Sequence, residues 1–311
     1  MTRRHWMEAI AAAPLASVAE GAANVKLGAD LFSLRSQNWT PFQLLDYCAG
    51  LKVQVVHFSE VRFIGGLDPA NLRQVRDHAG KLGIEIEIGM TSVCPTSKMF
   101  NAAAGTAEAQ LGAMIDAAVT VGSRIVRCVL GSSADRLPGP IERHIENMSR
   151  VLRNVRSKAM DAHVRIAVEN HAGDMQAREL KGLIEQAGPD FTGVCIDSGN
   201  PLWTIEDPHL TLETLAPYVL TSHLRDSAVW RVPEGAAVAW VRMGGTDGRG
   251  QRGYRRLRAE VCRVVSGTGA IHRVDCDRAA GVSFPRSKVL GGLPEHARLG
   301  VRAFPGDRGP R

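Results

Sequence analysis

Short β-branched runs alternate with longer amphipathic ones through most of the chain, and this regularity limits the fold more than any other feature. The β-type runs fall at residues 26–31, 53–58, 84–89, 124–130, 164–168, 192–196 and 219–223. Between them the spacing predicts helices at about 41–51, 69–82, 107–121, 141–162, 176–187 and 210–215. Helical crossovers of this length are what parallel strands require. No Gly-x-Gly-x-x-Gly follows a strand, so an α/β fold of the (β/α)8 TIM-barrel type is expected rather than a doubly wound nucleotide-binding sheet. No linker divides residues 24–244, which form one expected domain.

In such a barrel the chemistry sits at the C-terminal ends of the strands. The second strand ends at His57 and Glu60, and the fifth at Glu169, Asn170 and His171. The sixth runs into Asp197-Ser198-Gly199-Asn200, and the seventh into His223-Leu224-Arg225-Asp226. A carboxylate, a carboxylate and a histidine thus finish three successive strands and should converge above the barrel. Two carboxylate oxygens and one imidazole nitrogen suit one divalent ion of the Mn, Mg, Co or Zn kind. Three protein ligands leave positions open for a substrate with adjacent carbonyl and hydroxyl oxygens. The ion polarises the carbonyl and stabilises the enediolate formed when a proton leaves the neighbouring carbon. Glu169, Asp197 and His223 are the expected ligands, and Glu169 is also the expected base. His57, Glu60, His171, Asn200, Arg225 and Asp226 are the expected substrate contacts. For His57, Glu60, His171 and Asn200, helix capping or loop hydrogen bonding is the competing role.

Val168-Glu169-Asn170-His171, Cys195-Ile196-Asp197-Ser198-Gly199-Asn200 and Ser222-His223-Leu224-Arg225-Asp226 together resemble the xylose-isomerase-like barrel family of sugar (phosphate) isomerases and epimerases. The resemblance implies a single active-site metal on Glu169, Asp197 and His223. Asn200 matches the position three after the strand-six aspartate, where relatives often carry a substrate-contacting histidine. Epimerases of the family use two glutamates on opposite faces of the substrate, from strands five and eight, and Glu169 matches the first.

The second glutamate should follow soon after Trp240-Val241-Arg242-Met243-Gly244, within an apolar strand. The nearest β-like run, Ala270 to Asp277, contains none. Composition changes at the same place. Of the 38 Lys+Arg and 32 Asp+Glu, 14 and 6 fall in residues 245–311, which leaves 24 and 26 for residues 1–244. The same stretch holds 12 of the 32 glycines. Excess Gly and Arg is what a shifted reading frame tends to produce. Codons for Gly250 to Tyr254 can be chosen so that the next frame reads Gly-Asn-Val-Asp-Ile, as relatives do after their Met-Gly. A frameshift near residues 244–249 is therefore expected, with a barrel incomplete at its eighth strand and helix, a poorly ordered tail over 245–311, and impaired catalysis.

The positive net charge belongs to that tail, so a nucleic-acid partner is not expected, and neither is the abasic-site endonuclease activity this fold also supports. The six cysteines form no C-x-x-C pair, and no apolar run approaches a membrane span. Residues 1–23, with Arg3-Arg4 ahead of an Ala-rich segment, read as a twin-arginine-type export signal or a disordered leader. The first implies a periplasmic location and the second a cytoplasmic one. The expected partner is a small sugar or polyol substrate, bound by a monomer or a homo-oligomer. Beside the isomerase or epimerase stand two alternatives: a metal-dependent dehydratase (a lyase), and a damaged, non-catalytic barrel.

Overall fold

The computed structural model describes residues 26–136, 139–233 and 235–241, together with Glu260, Val261 and Val264. Seven parallel strands follow one another in chain order: β1 (Gly28–Asp30), β2 (Val55–Phe58), β3 (Glu85–Ser92), β4 (Ile125–Val129), β5 (Arg165–Glu169), β6 (Thr192–Asp197) and β7 (Val219–His223). All seven lie where the β-branched runs predict them. The sheet is rolled. Glu87 of β3 hydrogen-bonds Thr221 of β7, although four strand spacings in a flat sheet amount to about 19 Å.

The helices are α1 (Pro41–Gly50), α2 (Pro69–Lys81), α3 (Ala107–Val121), α4 (Ser133–Arg136), α5 (Ile141–Asn154), α6 (Arg156–Asp161), α7 (Ala177–Ala187) and α8 (Pro208–Leu215). Their starts are written into the sequence. Thr40, Asp68, Thr106 and Asp207 each accept a backbone N–H of the following turn, and proline opens α1, α2 and α8. Residues 141–162, expected as one helix, are two. The backbone leaves helical geometry at buried Val155, between α5 and α6, with φ −96° and ψ 2°. Helix α5 buries Ile141, Ile145, Met148 and Leu152 at three- and four-residue spacing against the core. Each such side chain contributes about 1.5–3 kcal/mol.

After β7 the chain forms an antiparallel hairpin, β8 (Asp226–Val232) and β9 (Gly235–Val241), that the sequence pattern did not predict. Asp226 to Ala228 are buried on the barrel side, while Val229 and Trp230 face outward. Among the described residues no eighth parallel strand is present. The expected frameshift, the search for a second glutamate and the leader over 1–23 lie outside the described residues. Of the basic stretch, Val261 packs into the main core and Glu260 meets His209 Nδ1 at 2.7 Å. Among the described residues no helix is long and apolar enough to cross a membrane.

Candidate active site

Near the C-terminal ends of the strands the barrel interior is polar, where aliphatic layers usually fill it. Asp30, His57, Glu87, Arg127, Glu169, Cys195, Asp197, Thr221 and His223 bring one or two side chains from each of the seven strands. All but Asp30 are buried.

Glu169 ends β5, level with Cys195 on β6. Arg127 Nε donates to its Oε2 at 2.6 Å, and Asn200 Nδ2 donates to Oε1 at 3.1 Å. Burial alone would raise this carboxyl, but Arg127, and after it His223, hold it well below the usual carboxylate range.

Asp197 ends β6 directly opposite His223 on β7. Its Oδ1 accepts the N–H groups of Gly199 at 2.8 Å and Asn200 at 3.0 Å, and Arg225 Nε lies 2.7 Å from Oδ2. Asn170 clamps the Asp197 backbone to the end of β5, donating to its carbonyl at 2.9 Å and accepting its N–H at 2.7 Å. Burial pushes the Asp197 carboxyl up, even with Arg225 beside it.

His223 Nδ1 lies 3.2 Å from Glu169 Oε2 and 3.9 Å from Asp30 Oδ2, yet neither ring nitrogen makes a hydrogen bond. Burial alone would lower its imidazole, but Cys195, Asp30 and Glu169 raise it well above the usual histidine range. Donor atoms of Glu169, Cys195 and His223 lie within 4.8 Å of one another. Asp197 stands next to this trio with its carboxylate turned to Arg225 and the Gly199–Asn200 turn.

Of the other expected residues, Asn200 joins the site through Glu169, and its Oδ1 is buried without a partner. Arg225 bridges Asp197 to the hairpin, its guanidinium 4.7 Å above the Trp240 ring. Asp226 is buried at the start of β8, opposite Val241. His171 Nδ1 lies 2.7 Å from Gly131 O, and burial lowers its imidazole. Glu60 turns to Arg62 Nε at 2.7 Å, in the loop after β2. His57 is buried on Glu87, and burial lowers its imidazole.

Sequence reasoning missed Asp30, Glu87, Arg127, Cys195 and Thr221. The signal was there for two of them: a charged residue inside an apolar strand, in Ile86-Glu87-Ile88 and Val126-Arg127-Cys128. At the opposite end of the barrel a cavity of about 420 Å³ is lined by Lys26, Arg76, Glu85 and Arg124 among others. It lies at the strand N-termini, away from the face where barrels of this type carry their chemistry.

A profile of the xylose isomerase-like TIM barrel matches residues 45–261. The chain belongs to this family. The match continues past Gly244 into the basic stretch. Among solved structures, a xylose isomerase domain protein from Planctomyces limnophilus superposes with a TM-score of 0.61 at 16% identity, covering 83% of this chain and 93% of that one. D-psicose 3-epimerase from Clostridium cellulolyticum H10, solved with D-tagatose, gives 0.58 at 12% identity over 80% and 83%. A xylose isomerase-like TIM barrel protein from Mycobacterium smegmatis, in complex with magnesium, gives 0.59 at 15% over 81% and 89%. A curated relative, 3-oxo-isoapionate decarboxylase of Pectobacterium atrosepticum, is 23% identical over 190 residues, 61% of this chain and 57% of that protein. The chain therefore spans under three fifths of that relative's length.

Proposed function

We propose that this barrel is a metal-dependent isomerase or epimerase of a sugar or related polyol, moving a proton at a carbon next to a carbonyl. The observation that carries the reading is that three successive strands end on Glu169, Asp197 and His223, with donor atoms of Glu169, Cys195 and His223 within 4.8 Å of one another and the Asp197 carboxylate beside them, turned to Arg225. Carboxylate oxygens and an imidazole nitrogen fit one divalent ion of the Mn, Mg, Co or Zn kind. When bound, such an ion would polarise the substrate carbonyl and stabilise the charge that develops on its oxygen.

The remaining work falls to side chains. Glu169, kept ionised by Arg127, is the base that takes the proton from carbon. Asn200, through its buried Oδ1, accepts a substrate hydroxyl, and Arg225 holds Asp197 in place. His171, Glu60, His57 and Asp226 complete the proposed substrate contacts. Trp240 of the β8–β9 hairpin stacks on the Arg225 guanidinium and meets Trp203 with ring centroids 5.5 Å apart. The nearest β-like run after β9, residues 270–277, holds no glutamate; with proton transfer resting on Glu169 alone, turnover should be slow.

The epimerase and magnesium-bound neighbours support this reading. The relative named as a decarboxylase favours a second one, a lyase: a carbonyl takes up the electron pair released when a carboxylate on the neighbouring carbon leaves as carbon dioxide, and in a dehydratase the enediolate expels a β-hydroxyl as water. A panel of aldoses and ketoses tests the first. Conversion between isomers should stop on chelation and return with Mn²⁺. Conversion indifferent to chelator contradicts the metal, and loss of carbon dioxide or water without isomer formation favours the lyase.

A further inference from the structure

A second group of buried polar side chains lies in the barrel, and the proton transfer proposed above does not use it. Glu87 Oε2 accepts the Thr221 hydroxyl at 3.1 Å and stands 3.2 Å from His57 Nδ1. The His57 and Glu87 side chains are only 3% and 2% exposed. A carboxylate offers lone pairs and no hydrogen, so the imidazole nitrogen facing it is the one that carries the proton. Nε2 is then left with a lone pair, and it is buried without a hydrogen-bond partner. An acceptor abandoned in this way has lost its water and gained no donor, which asks for an explanation.

The backbone keeps room for that nitrogen. A Cβ on Gly89 would come within 2.8 Å of His57 Nε2, and within 3.1 and 3.2 Å of the Arg127 and Ser59 carbonyl oxygens. Any other residue at 89 would push the ring aside. Gly89 lies two residues further along β3 than Glu87, and His57 is paired level with Glu87. The imidazole thus runs from Nδ1 in the interior toward Nε2 at the strand C-terminal end. Its ring meets His223 edge to face, with centroids 4.9 Å apart.

We propose that Glu87, Thr221 and Gly89 form a cradle that fixes His57 with its Nε2 lone pair toward the barrel mouth, as acceptor for a hydroxyl of the bound polyol. The polyol class rests on the proposed function; the cradle does not. Glu87 and Thr221 are positioning residues, acting only through His57.

Long-range ¹H–¹⁵N correlation of ring-labelled histidines, at about pH 8 and so above the ordinary histidine range, reads the tautomer directly. In the wild-type chain His57 should carry its hydrogen on Nδ1 alone. Glu87→Gln should break that single preference, and Thr221→Val should blur it, with unfolding midpoints reported for both. Xylitol, as the polyol probe, should shift the Nε2 signal, and Gly89→Ala should weaken xylitol binding about tenfold, the loss of one net hydrogen bond. A wild-type His57 protonated on Nε2, or a tautomer indifferent to both cradle variants, overturns the cradle. Xylitol that leaves Nε2 unmoved overturns the acceptor role. Mn²⁺ tests the underlying reading separately, because it should broaden the His223 and His57 signals. Imidazole signals that stay sharp contradict the metal site and leave the tautomer result standing.

Discussion

Glu169→Gln is expected to lower turnover by about 10³-fold or more. Loss of a positioned base alone typically costs 10²–10⁴-fold, and here the exchange also removes a negative charge from the proposed metal site. Glutamine keeps the shape, so Asn200 Nδ2 retains an oxygen to donate to. Arg127, however, is left beside a neutral amide, with Met90 O at 3.3 Å as its remaining acceptor. Some loss of stability should follow, and the rates need comparing where circular dichroism shows both chains folded. Turnover equal to wild type would place the reacting base elsewhere.

Arg127→Met should have the largest effect on stability. It takes from the fully buried Glu169 carboxylate the larger of the two cations that hold it ionised and leaves His223 Nδ1 at 3.2 Å. Breaking a buried pair from one side costs about 3–5 kcal/mol where the remaining charge has no other partner, and His223 should bring the loss to the lower end of that range. Methionine preserves most of the volume, so the loss would be electrostatic rather than a cavity effect. Mn²⁺ should restore much of it by supplying positive charge to the same carboxylate, and should stabilise the variant more than the wild type. The measurement is thermal unfolding of both chains with and without Mn²⁺. A metal-free variant as stable as wild type would show that the pair matters little to the fold. Loss of stability without rescue would mean that the ion does not reach Glu169.

The frame of the barrel was legible because each strand and helix repeats one physical pattern. β-branched runs marked all seven strands and the apolar spacing marked the helices, whose starts Thr40, Asp68, Thr106 and Asp207 cap in the structure through side-chain oxygens. The break at Val155 was not legible, since the apolar period of residues 141–162 continues across it while the backbone does not. Nor was the β8–β9 hairpin. Its strands lie where the expected connection to an eighth strand left no helix or strand to assign, and Asp226, read as the end of the seventh strand, opens β8.

At the site, strand-end position was enough to nominate Glu169, Asp197 and His223. It said nothing of what lies beneath them. Arg127 and Glu87 sit inside apolar runs, where periodicity assigns a residue to the core and is silent on its partners. Their pairing depends on the sheet rolling until β3 meets β7, a contact between residues 134 apart in sequence. Cys195, read only as part of the strand-six motif, proved to be a neighbour of Glu169 and His223.

The central claim is that Glu169, Asp197 and His223 hold one divalent ion, and equilibrium dialysis against Mn²⁺ tests it most directly. The wild-type chain should bind one ion. Asp197→Ala and His223→Ala should each weaken binding by at least about a hundredfold, the upper end of what changes to residues standing behind the ligands produce. Wild-type metal content in both variants would contradict the ligand assignment, and with it the proposed chemistry.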